Sequence, residues 1–494
     1  MFYIGIDSGT QSTKSVVLDF ESGDIVAEAS QPYQLISGLP AGHLEQNPSD
    51  WIAAVKATVA SCLEQLGNGK ERVRGIGVSG QQHGLVVLDS SNEVVRPAKL
   101  WCDTSTVDQC EQFASEFGGM NGLIAKAGNT ILPGYTIPKL LWLKQNEPEN
   151  FSRVAAILLP HDYINFSLTG AKRMEYGDAS GTGFLNIRTK EWEQDLINFV
   201  DSRVNEMLPE LGSSNAMHGA LLPELASEWG LSSDVIVSAG GGDNMMGAIG
   251  TGNIVDGIIT ASLGTSGTLY GCADKPIIDP NGEIAAFCDS TDRWLPLVCT
   301  MNVTVATEQV REWFGWDHDE LEKQVASIPA GAEGVNFLPY LNGERTPNLP
   351  NGTGVIHGLG GTSGSPAHIA RAAMEGATLG LAYGLRRFDE LGLNPGEIRL
   401  TGGGSKSAIW RQIAADAFGV PVVGLATAEG ASLGAAIQVA HADGKGSYEE
   451  LCNRLVALDE STRCEPSSEA AVIYRKKLDQ QVQLTTVLRD AGML

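Results

Sequence analysis

The chain has 494 residues, 43% of them hydrophobic and 19% charged, with a formal net charge of −25. That length predicts more than one domain and a large core, and no apolar run reaches a membrane-spanning length. The negative charge is spread along the chain, which argues against a nucleic-acid partner and requires any anionic ligand to be held by backbone amides or a metal ion.

No basic leader precedes the strand-like run that starts at Phe2, so no signal peptide is expected. Eight scattered cysteines without a Cys-x-x-Cys pair argue against a zinc site or disulfide framework and suit a reducing cytoplasm. Strands and helices alternate throughout, which predicts α/β layers.

In chain order, residues 2–8 and 14–20 read as strands, followed by a third near 24–33. Ser49 or Asp50 reads as the cap of a helix carrying Trp51, Ile52, Val55 and Val59. The runs VRGIGVSG and LVVLD read as further strands. The first contains a Gly-x-Gly-x-x-Gly match, Gly75 to Gly80, but it leads into QQHGLVVLD rather than a helix, so it is a poor dinucleotide fingerprint.

The opening stretch YIGIDSGTQSTKSVVLD is echoed by IITASLGTSGTLYG at residues 258–271. Asp7-Ser8-Gly9-Thr10-Gln11-Ser12-Thr13 sits over Ser262-Leu263-Gly264-Thr265-Ser266-Gly267-Thr268. Each copy is a strand, a Gly-Thr turn and a second strand, and in the second copy RWLPLVCTMN and VATEQVREWF supply a third strand and a helix. Chance likeness of two glycine turns is the bland alternative. Their placement, one at the start of each half, favours duplication. With GAIGTGNIVDG at 247–257 read as a hinge, the chain divides near residue 246 into two related lobes, 1–246 and 247–494, with a cleft between them.

A Gly-Thr turn exposes N–H groups and a hydroxyl that can wrap phosphate without lysine, and no Walker A pattern is present. IRLTGGGSKSAIWRQIAADAFG, from Ile398 to Gly419, reads as a strand, a close-approach glycine turn and a helix N-terminus suited to a ligand. DVIVSAGGGDNMMGAIG reads as a strand at 234–239, three glycines, then Asp243 and Asn244 at a helix start. On local sequence alone Asp243 is best read as a helix cap.

The chain resembles the FGGY carbohydrate kinases of the actin/hexokinase/Hsp70-like ATPase group. GYTIPKLLWLKQN (Gly134–Asn146) and GVIHGLGGTSGSPAHIARAAME (Gly354–Glu375) fit the two family signatures, and FLPYLNGERTP (Phe337–Pro347) and EGASLGAA (Glu429–Ala436) are family-typical runs. The resemblance implies an α/β fold of two actin/hexokinase-like (ribonuclease H-like) lobes, with the last helix free to return to the first. It implies ATP and Mg²⁺, with Asp7 and Asp243 toward the metal through water, and Gly9, Thr10, Gln11, Ser12, Thr13, Gly264 and Thr265 toward the phosphates. Gly403, Gly404 and Ser407 match the adenosine side, although some relatives carry Asn at the Ser407 position. Asp243 falls on the family's catalytic base, which displaces the capping reading.

The loop SGQQHG, Ser79–Gly84, ends as it does in family members that phosphorylate D-xylulose, and the Arg-Glu pair of the glycerol-specific members is absent. By that resemblance Gln82 and His83, with Trp101, Asp103, Asp243 and Asn244, bind the sugar. Hydroxyl recognition wants carboxylate, amide and imidazole partners and an aromatic face for the C–H side. The remaining histidines, His43 and His161 among them, show no ligand spacing and read as structural or surface residues. The implied activity is phosphorylation of D-xylulose by ATP, with Asp243 as general base, in a cytoplasmic enzyme of pentose catabolism. A homodimer is compatible with the sequence, and no nucleic-acid or membrane partner is expected. Another ketose or polyol such as ribulose, or a non-catalytic nucleotide-binding regulator, are the competing readings. The intact Asp7, Thr10, Asp243 and Thr265 weigh against the regulator.

Overall fold

The computed structural model describes residues 1–427 and 429–494 and divides into two compact units. The first comprises Met1–Ile254, Cys272–Pro296 and Glu429–Val456; the second comprises Val255–Gly271, Leu297–Ala428 and Ala457–Leu494.

In the first unit, strands Phe2–Ser8, Ser12–Asp19 and Ile25–Pro32 appear close to the ranges read from sequence. Alternate residues of the first strand serve two cores. Phe2, Ile4 and Ile6 pack with Trp51, Val55 and Val59 of helix Pro48–Leu66, while Tyr3 joins Leu433 and Ile437 of helix Gly430–Ala442. Helix Pro48–Leu66 begins one to two residues before the expected caps: Asn47 is the N-cap and Pro48 takes the first helical position, where its fixed φ and missing N–H cost nothing.

The sheet order is 25–32, 12–19, 2–8, 73–80, 236–238, 217–220, with pairings antiparallel, antiparallel, parallel, parallel, antiparallel. A second sheet, after an edge strand at 285–288, runs 294–300, 267–271, 258–263, 397–401, 422–425, 458–464, and the pairings of these six strands follow the same sequence of directions. The two hairpins occupy equivalent places in matching topologies, as duplication requires.

The two compact units are not continuous in sequence. A single cut near residue 246 does not reproduce the units. Helix Gly430–Ala442 groups with the first unit because its small residues lie directly on that unit's strands, and the last helix, Ser468–Asp490, stays with the second. There Tyr474 bridges Arg371 and Glu375, and Lys477 donates to the Val335 carbonyl. Residues 247–250 of the segment read as a hinge complete helix Asp243–Gly250.

The Gly75–Gly80 match lies inside the strand Val73–Gly80, as expected of a decoy. A Cβ on Gly77 would lie 1.9 Å from the Ala435 carbonyl oxygen, so glycine here serves packing. Comparable contacts recur along helix Gly430–Ala442: Cβ atoms on Gly5, Gly250 and Gly434 would lie 1.8, 1.7 and 1.8 Å from the carbonyl oxygens of Ser432, Gly430 and Met246. Those neighbours are backbone and cannot rotate away. Gly434→Ala is therefore expected to destabilise the first unit by about 2 kcal/mol or more, whereas Gly361→Ala, with nothing within 4 Å, changes stability by less than about 0.5 kcal/mol. Urea unfolding of both variants checks this, and equal losses would refute it.

Candidate active site

Three segments of the first unit bring polar groups together. The strand Phe2–Ser8 carries Asp7 next to its last residue, and the Asp7 Oδ1 accepts the Ser79 hydroxyl at 2.8 Å. At the turn that follows, Gly9 N–H donates to the Ser12 carbonyl at 3.0 Å and the Gly9 carbonyl accepts from Tyr33 at 2.6 Å. The Thr10 hydroxyl donates to Gln81 Oε1 at 3.2 Å and accepts from the Trp101 indole at 2.9 Å, while its carbonyl accepts from Gln46 at 2.7 Å. Gln46 Oε1 in turn receives Gln81 and the buried Trp51, so the hairpin tip is braced from beneath. Gln11 is exposed at the tip and Ser12 half-buried. Thr13 is fully buried, with its hydroxyl donating to Ser8.

The strand Val73–Gly80 delivers Gln81, Gln82 and His83. Gln82 accepts from Asn244 Nδ2 at 2.7 Å and donates toward Met245 Sδ at 3.2 Å. His83 has φ +62°, an uncommon conformation for a non-glycine residue. Its carbonyl holds the Thr136 hydroxyl and Lys139 ammonium at 3.1 and 2.8 Å, and its ring lies 5.2 and 5.4 Å from the rings of Tyr135 and Phe287. Gly181 lies so close that a Cβ would fall 1.9 Å from the imidazole Cε1. The ring is thus locked in a strained setting, which marks a site worth assigning a function.

Asp243 is the first residue of its helix, one past the cap Gly242. Its Oδ1 accepts the Asn244 backbone N–H and Nδ2 at 2.8 and 2.9 Å, so Asn244 links Asp243 to Gln82. Burial, then the charges of Asp7 and Asp178, push the Asp243 carboxyl up to about 7. Asp7 is raised to about 6, burial again dominating. A divalent cation near both carboxyls would favour their charged forms and lower these values.

Asp178, Ser79 and Gln81 were not singled out by sequence reasoning. Asp178 pairs with the fully buried His161 at 2.9 Å, and His161 also contacts Asp162 at 3.0 Å. These two carboxylates hold the imidazole well above its ordinary value despite burial. The detectable signal was the turn-rich run Asp178-Ala179-Ser180-Gly181-Thr182-Gly183.

Asp103 is fully buried among structural partners. Its oxygens accept Leu44 N–H at 2.9 Å, Ser105 Oγ at 2.5 Å and Lys99 Nζ at 3.2 Å. His43, Glu45 and Asp103 cluster as metal ligands would, but Lys99 Nζ lies among them, 3.1 Å from both His43 Nδ1 and Glu45 Oε1. An ammonium already supplies the positive charge there. The Trp101 indole N–H is directed to the Thr10 hydroxyl.

In the second unit the hairpin tip carries a half-buried Gly264 and an exposed Thr265. Gly402, at φ +82°, and Gly404 press on Leu263, which supports this hairpin, whereas a Cβ on Gly403 would meet nothing within 4 Å. The helix expected directly after the glycines starts at Ala408, past a 3₁₀ turn at Gly403–Lys406, and the Ser407 hydroxyl caps it by accepting Trp410 N–H.

The model of the FGGY carbohydrate kinase N-terminal domain matches residues 2–250, and that of the C-terminal domain matches 259–442. The chain belongs to the FGGY family of carbohydrate kinases. This kinase is 43% identical over 484 residues to the xylulose kinase of Haemophilus influenzae, covering 97% of this chain and 98% of that one. A crystal structure described as a "xyloylose kinase" from Brucella ovis superposes with a TM-score of 0.93 at 29% identity, covering 99% and 100% of the two chains. One described as gluconate kinase from Lactobacillus acidophilus gives 0.92 at 28%, covering 99% and 98%. The fold is therefore that of a two-lobe sugar kinase. Among the described residues no helix is long and apolar enough to cross a membrane.

The raised Asp243 carboxyl makes stability depend on pH in a defined sense. Its folded value near 7 lies above the ordinary 3.8, so the folded chain retains a proton that the unfolded chain has lost. The contribution is greatest below about pH 4 and is lost as pH rises to about 7. Asp243→Asn should therefore melt higher than wild type at about pH 8 without metal, the gap closing toward about pH 4. Melting curves that stay parallel from acid to alkaline pH would contradict the raised value.

Proposed function

We propose that this FGGY kinase transfers the γ-phosphoryl group of ATP to D-xylulose, giving D-xylulose 5-phosphate and ADP, with Asp243 as general base. The observation that carries the substrate is the 43% identity, over 97% of the chain, to a relative named xylulose kinase. A cytoplasmic place in pentose breakdown goes with that reading.

A sugar hydroxyl is too weak an acid to ionise before attack. A carboxylate that takes its proton as the oxygen–phosphorus bond forms is sufficient, and one poised near 7 accepts it readily at neutral pH. Asn244 keeps the carboxylate oriented and ties it to Gln82, so the base and a sugar-binding amide move as one. His83, with Gln82 and Asn244, is assigned to the sugar hydroxyls, and the face of Trp101 to its C–H side. Asp103 supports this wall from behind rather than facing the sugar.

Gly9–Thr13 and Gly264–Thr265 are assigned to the ATP phosphates, and Gly403, Gly404 and Ser407 to adenosine. Asp7 and Asp243 would hold Mg²⁺ through water, and the ion when bound supplies charge neutralisation to the phosphates. The chain's own part is to align the hydroxyl, accept its proton and keep competing water away from the phosphoryl group.

A second reading, a kinase for another polyhydroxy substrate, is favoured by the near-equal structural likeness to the protein described as gluconate kinase. Rates of ADP release with D-xylulose, D-ribulose, L-xylulose, D-gluconate and glycerol decide between them. D-Xylulose is expected to have the highest kcat/KM, since a site built around particular hydroxyls leaves polar groups unpaired with their epimers. If it ranks behind any other, the substrate assignment fails. In the same assay Asp243→Asn should lower kcat by on the order of a thousandfold while ADP still binds, and near-normal turnover in the folded variant would remove Asp243 from the mechanism.

A further inference from the structure

The run Leu341-Asn342-Gly343-Glu344-Arg345-Thr346-Pro347 has no part in the roles assigned so far. Glu344 is 4% exposed, yet the partners its carboxylate has among the described residues are neutral donors. Oε1 accepts the backbone N–H of Met301 at 2.6 Å and that of Arg345 at 2.9 Å, and Oε2 accepts Asn302 Nδ2 at 3.2 Å. Its own backbone is closed in a tight loop by paired bonds with Leu349 at 2.7 and 2.9 Å. A buried carboxylate placed on backbone N–H groups fixes the segment that carries them.

The fixed segment leads directly to the second hairpin. Asn302 also donates to the Gly343 carbonyl at 2.7 Å. The next two residues reach the hairpin tip: Val303 N–H donates to the Thr265 carbonyl at 3.1 Å, and Thr304 N–H to the Gly264 carbonyl at 3.0 Å. Val303 is fully buried, and a Cβ on Gly267 would lie 2.6 Å from its Cγ2, so the hairpin sits hard against this segment.

The planarity of the peptide gives these two bonds a directional effect. In a trans peptide the N–H points opposite to the preceding carbonyl. Anchoring the Gly264 carbonyl therefore aims the Thr265 N–H the other way, and anchoring the Thr265 carbonyl does the same for the Ser266 N–H. Two adjacent N–H groups set on one side of an exposed turn form a concavity suited to phosphate oxygens.

We propose that Glu344 is a positioning residue for the nucleotide, holding Met301 and Asn302 so that Val303 and Thr304 fix the peptide planes of the Gly264–Thr265 turn. This rests on the assignment of that turn to ATP phosphate. Glu344 touches neither substrate. It acts through four backbone groups, and its loss frees the turn to rotate.

The test compares Glu344→Ala, Glu344→Gln and Thr265→Asp by KM for ATP, KM for D-xylulose, calorimetric ADP affinity and melting temperature. Glu344→Ala is expected to raise both the KM for ATP and the Kd for ADP by about ten- to a hundredfold, with the KM for D-xylulose within about twofold of wild type. Glu344→Gln keeps an acceptor for the Met301 N–H and should recover ADP affinity to within about threefold. A purely structural role would lower the melting temperature of both variants and move neither nucleotide constant selectively, and that result overturns the proposal. It is equally overturned if Gln fails to rescue ADP affinity in a folded protein. Thr265→Asp places a like charge at the exposed tip. If it weakens ADP binding while Glu344→Ala does not, the proposal alone fails; if it leaves ADP binding unchanged, the phosphate assignment of the turn fails, and the proposal with it.

Discussion

The first unit depends on the approach of helix Gly430–Ala442 to backbone. At Gly5, Gly77, Gly250 and Gly434 a single methyl carbon would fall within 1.9 Å of a carbonyl oxygen, so the helix rests on its neighbours with no side chain between. The strand Phe2–Ser8 carries Asp7, the strand Val73–Gly80 leads to Gln82 and His83, and helix Asp243–Gly250 opens on Asp243. All three touch this one helix. Backbone-to-backbone packing of this kind has no rotamers to absorb error, so the spacing of the three functional segments is set by it.

Around that frame, polar groups are satisfied in chains rather than pairs. Trp51, Gln46, Gln81, Thr10 and Trp101 form one chain beneath the first hairpin. Asp162, His161 and Asp178 form another, fully buried, whose Asp178 charge helps raise Asp243. A protonated imidazole offsets one of these two buried carboxylate charges, which leaves a net negative charge beside Asp243. The Lys99 ammonium plays the corresponding part among Glu45 and Asp103, which is why a cluster with metal-ligand spacing needs no metal.

Both hairpins, their strands and the start of helix Asp243–Gly250 were legible because turn chemistry and apolar runs are local signals. Ranges differed by a residue or two, as at Asn47 and Pro48, where the proline rather than Ser49 or Asp50 marks the start. The return of residues 429–456 to the first unit was not legible, because it depends on small residues meeting backbone far away in sequence. The same limit explains Asp103. An acidic residue two positions after a tryptophan looks like a sugar contact, and its burial against Leu44, Lys99 and Ser105 is visible only in the structure. His161 was read as structural, which its burial supports, but its link through Asp178 to Asp243 required coordinates.

The matching topology of the two units also exposes a broken symmetry. Where the first hairpin enters on Asp7-Ser8, the second enters on Ser262-Leu263, and the carboxylate has no counterpart. A nearby carboxylate disfavours an anion, so a turn without one is the more favourable setting for an anion held by N–H groups alone. The same shape carries a charge in one copy and none in the other. One retains the acid that can hold a cation, and the other is left purely as a set of dipoles. The shape occurs twice, and one carboxylate sets the two copies apart.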